Sequence, residues 1–280
     1  MLRIFFRFTL KMLLVSLCCT KAKAQYFYKD IWNAGQLNKE ISVLKAGRIK
    51  TISIKSFDSD GEPSQGFFCE KRIDRNYDRI QMMSRSNVTG ESLILSYFNP
   101  AGLIIRTVDS TSNSFSRTDY EYDENGKFTT IKTFTKDDEE AGGISETHRY
   151  IYTGGALTRM VREKNNIPVS TINFNVDDKG NIIDEEEILK AGKGKKYFYY
   201  YDDKNQLTDV VHYNERAKRL LPDYMYEYDQ LGQIIKLITT EEGGNNYFIW
   251  RYTYENGLRI REKCFSKEKR LMGTIEYVYN

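Results

Sequence analysis

The sequence predicts an all-β protein, an array of about nine antiparallel β-hairpins in a long curled sheet, rolled or solenoid-like, after an N-terminal signal peptide. Three observations carry this reading. Asp or Asn followed three positions later by Gly or Asn recurs along the chain, the recurrences fall at a nearly constant step, and aromatic residues alternate just before them.

The turns run Asp58 to Gly61, Asn99 to Gly102, Asp123 to Gly126, Asp177 to Gly180, Asp202 to Asn205 and Asp229 to Gly232. In a type I turn the first position favours Asp or Asn, whose side chain bonds the backbone ahead, and Gly at the fourth accepts positive φ. Pro100 follows Asn99, where its fixed φ suits the second position. Two units shorten the connection to Gly154-Gly155 and Asn256-Gly257, pairs suited to tight hairpins. With Gly102, Gly126, Gly155, Gly180, Asn205, Gly232 and Gly257 as markers, the steps are 24, 29, 25, 25, 27 and 25 residues, room for two strands, a turn and a connector. Before the turns, Tyr120 and Tyr122, Tyr199 and Tyr201, Tyr226 and Tyr228, and Tyr252 and Tyr254 alternate. Period-two spacing puts each pair on one face, so they are expected to stack with aliphatic residues of neighbouring units into ladders. An open twisted sheet seldom exceeds about ten strands, so an array of roughly eighteen must coil.

Residues 1–24 read as the signal peptide. Arg3, Arg7 and Lys11 precede an apolar run, and Ala22 and Ala24 set cleavage between Ala24 and Gln25. The charges hold the apolar stretch far below the roughly 20 residues a spanning helix needs, so no transmembrane segment is expected in the mature protein. Leu17 and Cys18 stand where a lipid-anchor signal would need a small residue. Residues 25–40 are expected to lie outside the sheet, with a short helix around Trp32 and Leu37. The repeat domain then occupies 41–280: a hairpin from Ile41 to Lys55 around Ala46-Gly47, a degenerate one from Cys69 to Met83, the units above, and a last half unit at the end.

Removing residues 1–24 removes five positive charges and no acids, so the formal net charge passes from +3 to −2. Nucleic acid and anionic membranes thereby lose compositional support as partners. The cysteines fall from four to two, Cys69 and Cys264, in a compartment where disulfides persist. The two could join across a long loop, or stay apart as buried thiols.

At Tyr120-Glu121-Tyr122-Asp123 to Gly126 and Tyr226-Glu227-Tyr228-Asp229 to Gly232 the chain resembles the YD repeats of RHS proteins, with a looser match at Tyr199 to Asn205. It is similar to short exported YD-like proteins of Bacteroidetes-type bacteria. The resemblance implies an exported β-hairpin array, a type used in relatives for shells or extended surfaces in toxin delivery or cell contact. A scaffold of this kind does not by itself imply an activity.

The chemistry-bearing residues point away from catalysis. His148 and His212 are the only histidines, and His212 alternates with strand residues, which makes an ordinary sheet position the default. No nucleophile elbow, paired-histidine zinc motif or phosphate loop occurs, and no metal or cofactor is expected. The acidic runs Asp137 to Glu140 and Asp184 to Glu187 follow strands by turn-like distances and read as solvated loops. Lys190 to Lys196 reads as a flexible connector neutralised by the second run. Asp58 to Glu62 opens like a calcium loop but lacks the later glutamate.

The expected function is therefore a non-catalytic exported scaffold in the periplasm, at the cell surface or secreted. Its partner would be an envelope or extracellular protein, a peptide or a glycan. The alternative is a carboxylate-dependent hydrolase of the glycoside hydrolase type on the concave face. That reading needs in-facing acids several ångströms apart, whereas the acids placed above fall mostly in turns. An outer-membrane barrel is disfavoured because Lys236 and Asp209 interrupt the alternating sets that would face lipid.

Overall fold

The computed structural model describes residues 26–138, 142–214, 217–241 and 246–280; the expected cleavage site at Ala24 and Gln25, and Glu139 and Glu140 of the first acidic run, lie outside these ranges. The described residues form one helix, α1 (Tyr28–Ala46), and eighteen strands. The first nine are β1 (Thr51–Asp58), β2 (Phe68–Ile73), β3 (Arg79–Ser86), β4 (Gly90–Phe98), β5 (Ile104–Thr111), β6 (Ser114–Tyr122), β7 (Phe128–Asp137), β8 (Ile144–Thr153) and β9 (Ala156–Lys164). The second nine are β10 (Ile167–Val176), β11 (Ile182–Leu189), β12 (Gly192–Tyr201), β13 (Leu207–Asn214), β14 (Arg219–Tyr228), β15 (Ile234–Thr240), β16 (Tyr247–Glu255), β17 (Leu258–Ser266) and β18 (Leu271–Tyr279).

Each strand pairs antiparallel with the one before it, and β18 returns to pair with β1 from Ile52↔Tyr279 to Asp58↔Gly273. Beyond the last strand, the Asn280 carbonyl accepts the N–H groups of Lys50 and Thr51 at 2.7 and 2.9 Å. The sheet is a closed barrel. The all-β class holds, but closure corrects the expectation of an open sheet, rolled or solenoid-like. Any open array leaves two edges of unpaired N–H and C=O groups, and joining the first strand to the last removes both.

The turn chemistry explains the recurring sequence. Gly126 N–H donates to the Asp123 carbonyl at 3.0 Å, and Asp123 Oδ1 accepts the N–H groups of Asn125 and Lys127 at 2.9 and 2.8 Å. Asp177, Asp202 and Asp229 repeat this pattern, and Asn99 uses its amide oxygen on Leu103 N–H. Asn205, at φ 60°, stands where the other units place glycine, in the left-handed region that Asn tolerates better than most residues. Beside these turns the register shifts, as at Glu121/Tyr122 and Glu227/Tyr228, a bulge that carries the strand twist. The turns at Asn99, Asp123, Asp177, Asp202 and Asp229 each join an even-numbered strand to the next odd one and share one rim. The Asp58 to Gly61 turn follows β1 and belongs to the opposite rim.

The aromatic ladders expected between units take another form. Tyr122 Oη donates to the Ile104 carbonyl at 2.7 Å, Tyr201 to Ile182 at 2.9 Å, Tyr228 to Leu207 at 2.7 Å, Tyr254 to Ile234 at 2.9 Å and Tyr279 to Arg259 at 2.6 Å. Every acceptor lies two positions past the marker residue of a preceding unit. The second Tyr of each Tyr-x-Tyr pair, followed by Asp in three of the five, thus fastens one unit to an earlier one by a hydroxyl, at a carbonyl in the first two residues of a strand.

The N-terminal segment departs most from expectation. Helix α1 runs through Ile41 to Ala46, where a hairpin was expected, and Ala46-Gly47 is its end: Gly47 N–H bonds the Val43 carbonyl at 2.9 Å and Ile49 N–H the Leu44 carbonyl at 3.0 Å. Nor does it lie outside the sheet. Its side chains and backbone meet β2, β5, β8, β11, β12 and β14, strands spread around the ring, which places it in the lumen. Side chains of the wall fill a barrel of about eight strands, but a wider ring needs something more inside it. Helix residues Ala34, Ile41 and Leu44 are buried, and Ile31, Trp32 and Leu37 pack against the same core.

The outward alternation mixes charged residues with exposed apolar ones such as Met83, Met225 and Val278. Cross-strand ion pairs lie on it at Arg106–Asp119 (2.5 Å), Arg149–Glu163 (3.2 Å), Lys236–Glu227 (2.6 Å) and Arg261–Glu276 (2.9 Å). Cys69 on β2 and Cys264 on β17 are buried free thiols, with β1 and β18 between their strands, so no disulfide joins them. No helix among the described residues is long and apolar enough to cross a membrane.

Candidate functional site: a charged clamp inside the barrel

The densest polar chemistry of the lumen surrounds the start of α1. The first N–H groups of a helix have no partner within it and carry the positive end of its dipole. Glu185, on β11, meets both needs from the wall: its carboxylate accepts Phe27 N–H at 2.6 Å and Tyr28 N–H at 2.8 Å while only 1% exposed. Burial pushes this carboxyl up to about 7, against the lowering pull of the two N–H donors.

Within the first turn, Asp30 Oδ2 lies 2.8 Å from His148 Nδ1, and His148 Nε2 lies 2.9 Å from Glu146 Oε1. Arg162 closes the chain on Glu146 with two bonds, Nε to Oε1 at 2.8 Å and Nη2 to Oε2 at 2.9 Å, and its Nη1 lies 3.7 Å from Glu187. Burial disfavours the charged ring of His148, but hydrogen bonds and charge from Asp30 and Glu146 overcome it and hold the ring at about 9. Burial would likewise raise Glu146, yet His148 and Arg162 draw it down to about 2. With a carboxylate on each ring nitrogen, the histidine is a doubly donating cation with both nitrogens committed to the clamp.

Aromatic and polar contacts complete the seat. Tyr26 packs against Tyr197, Tyr199 and Tyr224 at ring distances of 5.8, 5.8 and 5.6 Å, and Trp32 against Tyr226 at 5.3 Å. Lys29 Nζ donates to Tyr224 Oη at 3.2 Å, Asn38 Oδ1 accepts Ile104 N–H at 2.7 Å, and Glu40 pairs with Lys71. The arrangement holds a helix in place from several sides.

The acidic run Asp184 to Glu187 is not a solvated loop. It lies within β11, with Asp184 and Glu186 outward and Glu185 and Glu187 inward. The lysine stretch is likewise mostly strand: Lys193 pairs with Glu186 at 2.9 Å and Lys196 with Asp184 at 3.3 Å, so the neutralisation is present but on the sheet. His212 sits on β13, with Nδ1 2.7 Å from Asp223 Oδ2. Sequence reasoning missed Asp30, Glu146, Arg162 and Glu185. For Glu185 a partial signal existed: five positions past the markers stand Thr107, Ile131, Met160, Val210 and Leu237, while an acid takes that place in two units, as Glu185 and Glu262.

Fold and site together define a closed antiparallel barrel with a helix clamped in its lumen. No family model matches the chain, and no curated protein matches it. Among solved structures, it is similar to a porin-like protein from Bacteroides uniformis (TM-score 0.41, 11% identity, 83% of this chain and 96% of that one). It is also similar to a porin-like protein from Bacteroides vulgatus (TM-score 0.27, 12% identity, 83% and 98%) and to a Tc holotoxin pore of Photorhabdus luminescens (TM-score 0.31, 10% identity, 76% and 16%). At these scores none of the three lends this chain its fold or its activity, and the resemblance to YD repeats rests on the turn and tyrosine residues alone.

Proposed function

We propose that the protein is an exported, non-catalytic scaffold that binds an envelope or extracellular partner from the outside of its barrel. The carrying observation is the outer wall, where ion pairs such as Arg106–Asp119 and Arg261–Glu276 occupy positions that lipid would contact in a membrane barrel. A cation facing the middle of a bilayer costs about 2 to 4 kcal/mol, so repeated charges of this kind suit a wall in water. The clamped helix supports the same reading, because it stands in the lumen that a channel would use. Export rests on residues 1–24. Expression with those residues, followed by fractionation, tests the proposal: the processed chain is expected in the soluble fraction without detergent, and recovery only in detergent overturns it.

A second reading, a hydrolase with carboxylates on the concave face, is favoured by the in-facing Glu146 and Glu187, which flank Arg162. Glu146 is held by that guanidinium through two hydrogen bonds and Glu187 lies 3.7 Å from it, which suits a structural cluster better than a free acid and base. Turnover of any glycan by the purified protein, lost in Glu187→Gln, would support this second reading over the first.

A further inference from the structure

On most of the outer wall cations face acids, but one row departs from this. Lys236 on β15, Arg251 on β16 and Lys263 on β17 are direct cross-strand neighbours in the register Lys236↔Arg251 and Arg251↔Lys263. Side chains directly opposite stand about 5 Å apart, and like charges there destabilise the sheet. Glu227 offsets Lys236 at 2.6 Å, whereas Arg251 and Lys263 are exposed and have no ion-pair partner among the described residues. At Arg251 and Lys263 no acid offsets this repulsion, and a local rule broken in this way marks a place used for something else.

Beside the cations, two positions along each strand, runs an apolar row in the same register: Met225, Ile238, Ile249 and Phe265 on β14 to β17. Met225 is 38% exposed, and the Arg251 guanidinium lies 6.0 Å from the Phe265 ring. The geometry points to this face as a docking surface for an acidic protein segment that carries apolar side chains, a refinement that rests on the scaffold reading above. The two cations without an acid, Arg251 and Lys263, call for acids, and the adjoining row for apolar contacts. The closed barrel offers no free strand edge, so the segment lies across the face and does not extend the sheet. A bilayer surface suits it less well, because interfacial binding needs apolar groups sunk about 5 to 10 Å past the headgroups, and Ile238, Ile249 and Phe265 are half-buried in the wall.

The test titrates the mature chain with a synthetic peptide of alternating glutamate and leucine and, separately, with phosphatidylglycerol vesicles. The peptide is expected to bind and to weaken with salt. Arg251→Glu and Lys263→Glu should each weaken it about tenfold or more, while leaving the melting temperature unchanged or raised. Lys132→Glu, on the outward face of β7, should leave binding intact. No peptide binding, binding indifferent to both reversals, or vesicle binding in place of peptide binding overturns the proposal. If the chain is soluble without detergent yet fails here, the surface falls and the scaffold reading stands.

Discussion

His148 carries its proton as part of the fold, since Asp30 and Glu146 bond both ring nitrogens. A base held at about 9, against its ordinary 6.5, contributes stability that is full below 6.5 and lost as pH rises through 9. Glu185, raised from 4.5 to about 7, acts in the same direction: the native state keeps a proton that the unfolded chain releases, so stability falls between those values. Glu146, lowered to about 2, contributes stability that is present above 4.5 and lost on acidification. Stability is therefore expected to peak near pH 5 and to decline on both sides. Urea titrations from pH 4 to 10 check this. His148→Ala should cost about 3 kcal/mol at pH 6 by removing the buried cation between the half-buried Asp30 and Glu146, and should flatten the decline between 6.5 and 9. An alkaline slope unchanged in this variant would remove His148 from the account.

At the scale of elements, the repeated motif resolves into two devices. The Asp or Asn of each turn satisfies backbone N–H groups ahead of it, and the second tyrosine reaches back to a carbonyl of the preceding unit. A hydroxyl-to-carbonyl bond of this kind is worth about 1 kcal/mol net. Tyr228→Phe keeps the ring and removes the bond to Leu207, so it should cost about that amount in urea denaturation, with the far-ultraviolet spectrum unchanged. A loss near zero would mean that water serves the Leu207 carbonyl equally well. Helix α1 differs in kind: its buried faces turn in several directions because wall surrounds it, so no single apolar stripe announces where it packs.

Closure governs the whole molecule. β18 pairs with both β17 and β1, and it is the strand that joins the two ends of the chain. Removing residues 271–280 would expose the edges of β1 and β17 together, each a template for pairing with another chain. The truncated protein is expected to lose its cooperative unfolding transition and to aggregate, as seen by light scattering during thermal melts. A soluble truncation with an unchanged melting temperature would contradict a closed ring. The same closure sends binding to the faces and rims, which is why the unpaired cations of β16 and β17 bear on function.

What the sequence alone determined is local. Turn positions, strand alternation and the approximate number of strands follow from interactions between residues a few positions apart, and Asp123 to Gly126 is legible because its bonds close within five residues. Bulges hid the rest: an extra residue at Ile183, between Ile182 and Asp184, breaks the alternation that would have marked Glu185 as inward, so its run looked like a solvated loop. The contacts of α1 were beyond local reading, since His148 lies 118 residues from Asp30 and Glu185 lies 158 from Phe27. Only the tertiary structure decided that β18 meets β1 and that the helix lies inside, because both depend on the summed twist and stagger of eighteen strands, a quantity no single unit contains.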